Sequence, residues 1–238
     1  MTKVSPTISG ATRRATATEA PLRRRLNGRT KLQQEQKESS RQKLLDAARA
    51  LYTGTSYATT TVDDIVRDAE VSRTTFYRHF DSKLAVAETL FQVAMIPISA
   101  IHEQLASHDD PSEKEISEWI NGIIDHLIAH KALVRTMREV EAVEPASDSA
   151  QEETHKRLIR LFGTRIPAFR AAASQSAANA QARIRAQLLM LQFDQFFYAV
   201  SVRESIDRKV GTQVMARELR RFVEDGGGKI PARRGAKT

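Results

Sequence analysis

The chain has 238 residues, of which 41% are hydrophobic and only 6% aromatic, with no cysteine and a formal net charge of +8. This is enough apolar material for one large domain or two small ones, and the lack of cysteine excludes disulfides, thiolate metal sites and a cysteine nucleophile. Ala, Leu, Gln, Glu and Arg recur without sustained β-branched alternation, which predicts an all-α protein.

Charge placement says more than net charge. Residues 1–38 carry nine Lys and Arg against three acids, and residues 226–238 carry four basic residues and no acid. Residues 39–90 are balanced, with seven of each sign. Basic tails on a balanced body suggest arms that reach for phosphates around a shaped reader. Residues 1–38 are expected to be a disordered basic arm, whose Arg side chains would enter a minor groove or track phosphates. The helix-friendly KLQQEQKESS stretch from Lys31 lets the first helix start ahead of its apolar face. That face is Leu44, Leu45, Ala48, Leu51 and Tyr52, with Gly54 expected in the left-handed conformation at its end.

A DNA-binding domain is expected over residues 39–91. Thr61 with Asp64 three residues on is a capping box, opening a helix with Val62, Ile65, Val66 and Ala69 inward. A break at Glu70-Val71 leads to Ser72 as the next cap. The third helix, Arg73 to His79, is anchored by Phe76 and Phe80. Asp81 or Ser82 then caps a fourth helix with Leu84, Ala87, Leu90 and Phe91 inward. Together these form a helix, a tight turn and a short helix on one apolar seam. The short helix turns hydroxyls, Arg, Tyr and His outward, a surface suited to the B-DNA major groove.

The segment from Thr61-Val62 and Ile65 through Phe76-Tyr77-Arg78-His79-Phe80 to Ser82-Lys83 closely resembles the TetR family of bacterial regulators. The matched stretch covers about 50 residues, and Thr74 stands where many members carry Gly. The resemblance implies a phosphate contact from Thr61 and a major-groove face of Ser72, Arg73, Thr74 and Thr75. It implies a backbone clamp by Tyr77 and His79, and a further phosphate contact from Lys83. Arg78 reads equally well as a phosphate contact or a solvated side chain. Arg73 is the first choice for base reading, because Arg pairs bidentately with guanine.

Residues 92–225 are expected to form a helical effector-binding and dimerisation domain. Pro97 should kink or end the fourth helix. Asp109-Asp110-Pro111-Ser112 is a loop and helix start, followed by an inner face of Trp119, Ile120, Ile123, Ile124, Leu127 and Ile128. Glu144-Pro145-Ala146-Ser147 is a further break, and Leu158, Ile159, Leu161 and Phe162 mark another helix, interrupted near Pro167. Two last helices are expected over about 178–204 and 207–224, before a basic, disordered tail at 226–238. Ile184, Leu188, Leu191, Gln195, Tyr198 and Val202 recur at alternating spacings of four and three, a heptad stripe. With Val210, Val214, Leu219 and Phe222 it predicts a homodimer through the last two helices. The family resemblance implies a ligand cavity in this half, for which Trp119, Met137, Phe162, Phe169, Phe193, Phe196 and Phe197 are candidate lining residues. His126 and His130 have a metal-compatible spacing but no third ligand, and His102, His108 and His155 have no evident partner. No metal or cofactor is therefore called for.

The expected function is a sequence-specific transcriptional regulator: a homodimeric repressor released from a palindromic operator by a small apolar effector. An architectural DNA-binding protein, or a regulator controlled by a protein partner, is the alternative. Without a glycine-rich phosphate loop, nucleophile elbow or carboxylate pair, an enzyme is not expected. No apolar run approaches the roughly 18 residues a membrane helix needs, and no signal-peptide core opens the chain, so a cytoplasmic protein is expected.

Overall fold

The computed structural model describes residues 19–144 and 147–227, and every regular element among them is helical. Ten α-helices follow in chain order: α1 (Glu19–Gly54), α2 (Val62–Asp68), α3 (Arg73–His79), α4 (Lys83–Ala106), α5 (Glu113–Ala129), α6 (Lys131–Val143), α7 (Ser147–Phe162), α8 (Pro167–Ala173), α9 (Ala180–Tyr198) and α10 (Arg208–Glu224). A π-turn, Ala199–Arg203, extends α9, and Ala177–Asn179 form a short 3-10 turn before it.

These helices bury two apolar cores. The first gathers Leu44, Ala48 and Tyr52 of α1, Ile65 of α2, Phe76 and Phe80 around α3, and Val86 and Leu90 of α4. Leu133 and Val140 of α6 join it from the other half of the chain. The second collects Trp119, Ile120 and Ile124 of α5 with Phe162, Phe169, Phe193, Phe222 and the far end of α4, Leu105 and Ala106. Thus α4 runs from one core into the other, and α6 links the second half to the first.

The local starts and stops follow the side chains. Thr61 and Asp64 form the full capping box on α2, Ser72 caps α3 and Ser82 caps α4. Each such cap contributes about 1 kcal/mol. The two-turn α3 is too short to hold itself, since isolated helices under about 12 residues are marginal. Phe76 and Phe80, 0% and 5% exposed, anchor it from behind.

Several expectations change. α1 begins at Glu19, so the stretch read as disordered is helical from there; residues 1–18 and the tail from 228 lie outside the described residues. Gly54 is not left-handed: that conformation falls to Glu70 (φ 54°), Glu204 (φ 53°), Gly226 and Gly227. Glu70 makes the turn between α2 and α3, where the Val71 N–H closes on the Val66 carbonyl at 3.0 Å. Pro97 does not end α4, which continues to Ala106. Near it, His126 Nε2 lies 2.7 Å from the Ala94 carbonyl, one turn before the proline. By length and composition α4 is apolar enough to cross a membrane, contrary to the expectation that no stretch approaches that; here it packs against α1, α5, α6 and α7. Ile128, expected inward, is 47% exposed in the last turn of α5. The break at Pro145-Ala146 lies outside the described residues.

Candidate nucleic-acid interface

The polar side of α3 is built outward from its apolar anchor. Tyr77 is 52% exposed, its ring edge-on to buried Phe76 with centroids 5.3 Å apart. Ser72, Arg73, Thr74 and Arg78 are exposed, and Thr75 and His79 are half-buried. The helix therefore presents hydroxyls, two guanidinium groups and a phenol on one accessible surface, with phenylalanines on the other.

Internal partners hold several of these groups ready. Ser72 Oγ accepts the Thr75 N–H at 3.1 Å and lies 3.0 Å from Thr75 Oγ1. Arg73 Nε forms an ion pair with Asp63 Oδ1 on α2 at 3.1 Å. Thr61, exposed at the start of α2, donates its hydroxyl to Asp64 Oδ2 at 2.7 Å. A phosphate at Thr61 would compete with that carboxylate, which the Thr61 hydroxyl and amide and Arg67 hold at a pKa of about 2. His79 Nε2 lies 2.8 Å from Ser40 Oγ of α1. Burial, then the neighbouring Arg78, Lys37 and Arg41, push the His79 pKa below its ordinary value, so its neutral form is favoured.

Lys83 departs from its expected role. Its ammonium turns inward, donating to the carbonyls of Tyr57 at 2.9 Å and Thr60 at 3.0 Å and sitting 4.3 Å above the Tyr57 ring. Its first job is to close the loop between α1 and α2, with one donor left over. Tyr57, which no periodic pattern marks as a core residue, is fully buried. Its amide donates to Glu139 and its hydroxyl to Glu144, both at 2.9 Å, tying that loop to α6 and the residue after it. Only its place in a Thr-rich, breaker-flanked loop hinted at a buried aromatic.

The sequence pattern of bacterial regulatory proteins of the tetR family matches residues 44–90, the stretch that forms this unit. Residues 44–90 are a DNA-binding segment of the tetR type. The chain shares its fold with a Syntrophomonas wolfei protein described as a TetR-family transcriptional regulator: TM-score 0.57 at 18% identity, covering 82% of this chain and 98% of that one. A transcriptional regulator of the TetR/AcrR type from Aquifex aeolicus VF5 aligns at 17% identity over 77% of this chain and 99% of that one, with a TM-score of 0.49. No curated protein matches the chain. The first core is thus that of a helix-turn-helix DNA-binding unit, and the chain is a DNA-binding transcriptional regulator.

In its second half, the regulator brings most of the candidate ligand residues together. The Trp119 ring meets Phe162, Phe193 and Phe197 with centroids 5.8, 5.0 and 6.1 Å apart, and Phe162 meets Phe169 at 5.1 Å. Phe196, also buried, packs on Phe197. Met137 is elsewhere, packed on the DNA-binding core. The histidines have partners that the sequence hid. Trp119 Nε1 donates to His102 Nδ1 at 3.2 Å, and burial pulls the His102 pKa down to about 4. His155 lies 2.5 Å from Asp194, and His108 lies 3.1 Å from Glu115. His126 and His130 stack ring on ring at 4.4 Å. Among the described residues no group of three or more potential metal ligands gathers.

Proposed function

We propose that the chain is a homodimeric repressor, released from a palindromic operator by a small apolar effector. One observation carries the dimer. Ile184, Leu188 and Leu191 on α9 are each about half exposed or more, at spacings of four and three, and Val210 and Val214 on α10 are exposed likewise. An uncovered stripe at heptad spacing on two neighbouring helices is what a four-helix bundle with a second copy would bury. The proposed stripe is shorter than the sequence suggested, since Val202, Leu219 and Phe222 are already buried within the chain.

Symmetry also follows from the size of the reader. A two-turn helix contacts only a few base pairs, and two of them about 34 Å apart on an inverted repeat multiply the specificity. In each half-site, Ser72, Arg73, Thr74 and Thr75 would face base edges, while Thr61, Tyr77, Arg78 and His79 would hold the backbone. The Lys83 clamp would add at most one donor to a phosphate. Because α4 and α6 belong to both halves, a change in packing around Trp119 would alter the spacing of the two α3 helices. A coupling of about 1–3 kcal/mol is enough to change occupancy several-fold.

Selection of bound sequences from random duplexes, followed by competition with apolar compounds, tests this reading. Recovery of an inverted repeat and loss of binding with one compound is the expected result. Recovery of no motif at all would leave an architectural DNA-binding protein as the better account. Val93 and Ile96 on α4, 53% and 65% exposed, favour a second reading in which a protein partner replaces the small effector. That reading predicts an inverted repeat that no compound releases.

A further inference from the structure

We propose that the part of α1 ahead of Leu44 is a second DNA-contacting element, whose Lys37 and Arg41, with Arg78 of α3, bind duplex phosphates just outside the bases read by α3. The proposal rests on the DNA-reading role of α3 and extends the interface to the part of α1 ahead of the family pattern, which starts at residue 44.

The geometry ties this helix to the reading surface. Ser40 Oγ lies 2.8 Å from His79 Nε2 at the end of α3, and the Arg41 guanidinium sits 5.1 Å above the Phe80 ring. Lys37, Arg41 and Arg78 all stand close enough to His79 to disfavour its charged form, with Glu38 acting the other way. Among the described ion pairs, Lys31 is matched by Glu35 and Arg73 by Asp63, while Lys37, Arg41 and Arg78 meet no carboxylate. Cations gathered without an ion-pair partner beside a surface that faces DNA are complementary to its phosphates.

Residues 31–39 of α1 have no packing reason to be helical. Residues 31–39 are exposed on every side, Leu32 included. A helix polar all round is not held by a core and needs another surface to run along. The backbone from Glu19 to Ser40 extends about 30 Å at 1.5 Å per residue, close to one turn of duplex. A helix about 10 Å across does not fit a minor groove about 6 Å wide, so an arm threaded into that groove is replaced by a rod lying along phosphates.

The test uses the full chain, with Lys37→Gln/Arg41→Gln compared against wild type on duplexes with short flanks and with flanks one helical turn longer. Wild type should bind the longer duplex several-fold more tightly, and the double variant should lose that gain. Its salt slope should fall by about 1.8, at about 0.9 per phosphate contact, with base preference unchanged. An unchanged slope together with an unchanged flank effect overturns the proposal. Because Arg41 also packs on Phe80, Lys37→Gln alone is the second variant: this exposed change should lower the slope by about 0.9, and no change overturns the proposal. Random-sequence duplexes of two lengths give the same slope comparison, so failure to select an operator is a separate failure, of the palindrome reading.

Discussion

Arg73 Nε lies 3.1 Å from Asp63 Oδ1, so the guanidinium assigned to base reading is ion-paired with a carboxylate of the preceding helix. Both side chains are 62% exposed, and such pairs contribute between about 0 and 1 kcal/mol. The pair orients Arg73 in the free protein and must open for a guanine contact. Asp63→Asn should therefore raise operator affinity by about two- to five-fold, through loss of the competing pair and of a negative charge beside the phosphates. Arg73→Ala should cost about 1–3 kcal/mol and relax preference at one base position per half-site. Competition binding with singly substituted operators checks both; intact base preference in Arg73→Ala would remove this residue from the reading role.

Lys83 is expected to matter to the fold before any DNA is present. Its two hydrogen bonds to the Tyr57 and Thr60 carbonyls close the loop ahead of α2. Lys83→Met should lower stability by about 1–3 kcal/mol in urea titrations of the free protein, since those carbonyls lose a charged donor. A variant with the stability of wild type and weaker DNA binding alone would make Lys83 a simple phosphate contact.

Glu70 sits at φ 54° in the turn between α2 and α3. The left-handed region costs a residue with a Cβ about 1–2 kcal/mol, part of which glycine returns as freedom of the unfolded chain. Glu70→Gly should raise stability by about 1 kcal/mol, measured as a higher Tm, with the DNA motif unchanged. A lower Tm would mean that the Glu70 side chain makes a contribution larger than the strain.

Leu188 lies in the middle of the exposed stripe on α9, 55% accessible. Leu188→Lys should leave the monomer folded while placing a charge in the dimer interface. Sedimentation should then give a monomer, and binding to an inverted repeat should fall toward that of a single half-site. A dimer of unchanged affinity would move the interface elsewhere.

His102 makes stability depend on pH. Burial lowers its pKa to about 4 from the ordinary 6.5, so the unfolded chain takes up the proton first as pH falls. The neutral ring's contribution is fully present above pH 6.5 and is lost as pH drops through 4. A shift of that size corresponds to about 3 kcal/mol. His102→Gln, which keeps an acceptor for Trp119 Nε1, should flatten the difference in stability between neutral and mildly acidic solution. An identical pH profile in the variant would mean that another group carries the dependence.

The sequence by itself determined the all-helical architecture, the capping box at Thr61, the caps at Ser72 and Ser82, and the polar outer face of α3. Each depends on contacts within one or two helical turns, and periodicity and cap chemistry report those directly. It also marked Ile184, Leu188 and Leu191 as a stripe, because heptad spacing is a property of one helix. Only the tertiary structure decided that Lys83 faces Tyr57 and Thr60, that Tyr57 is bound by α6, that Trp119 protects His102, and that Ser40 joins α1 to His79. Those partners are far apart in the chain, so nothing in local composition brings them together. Which way a long side chain turns is set by the carbonyls and carboxylates that folding places around it.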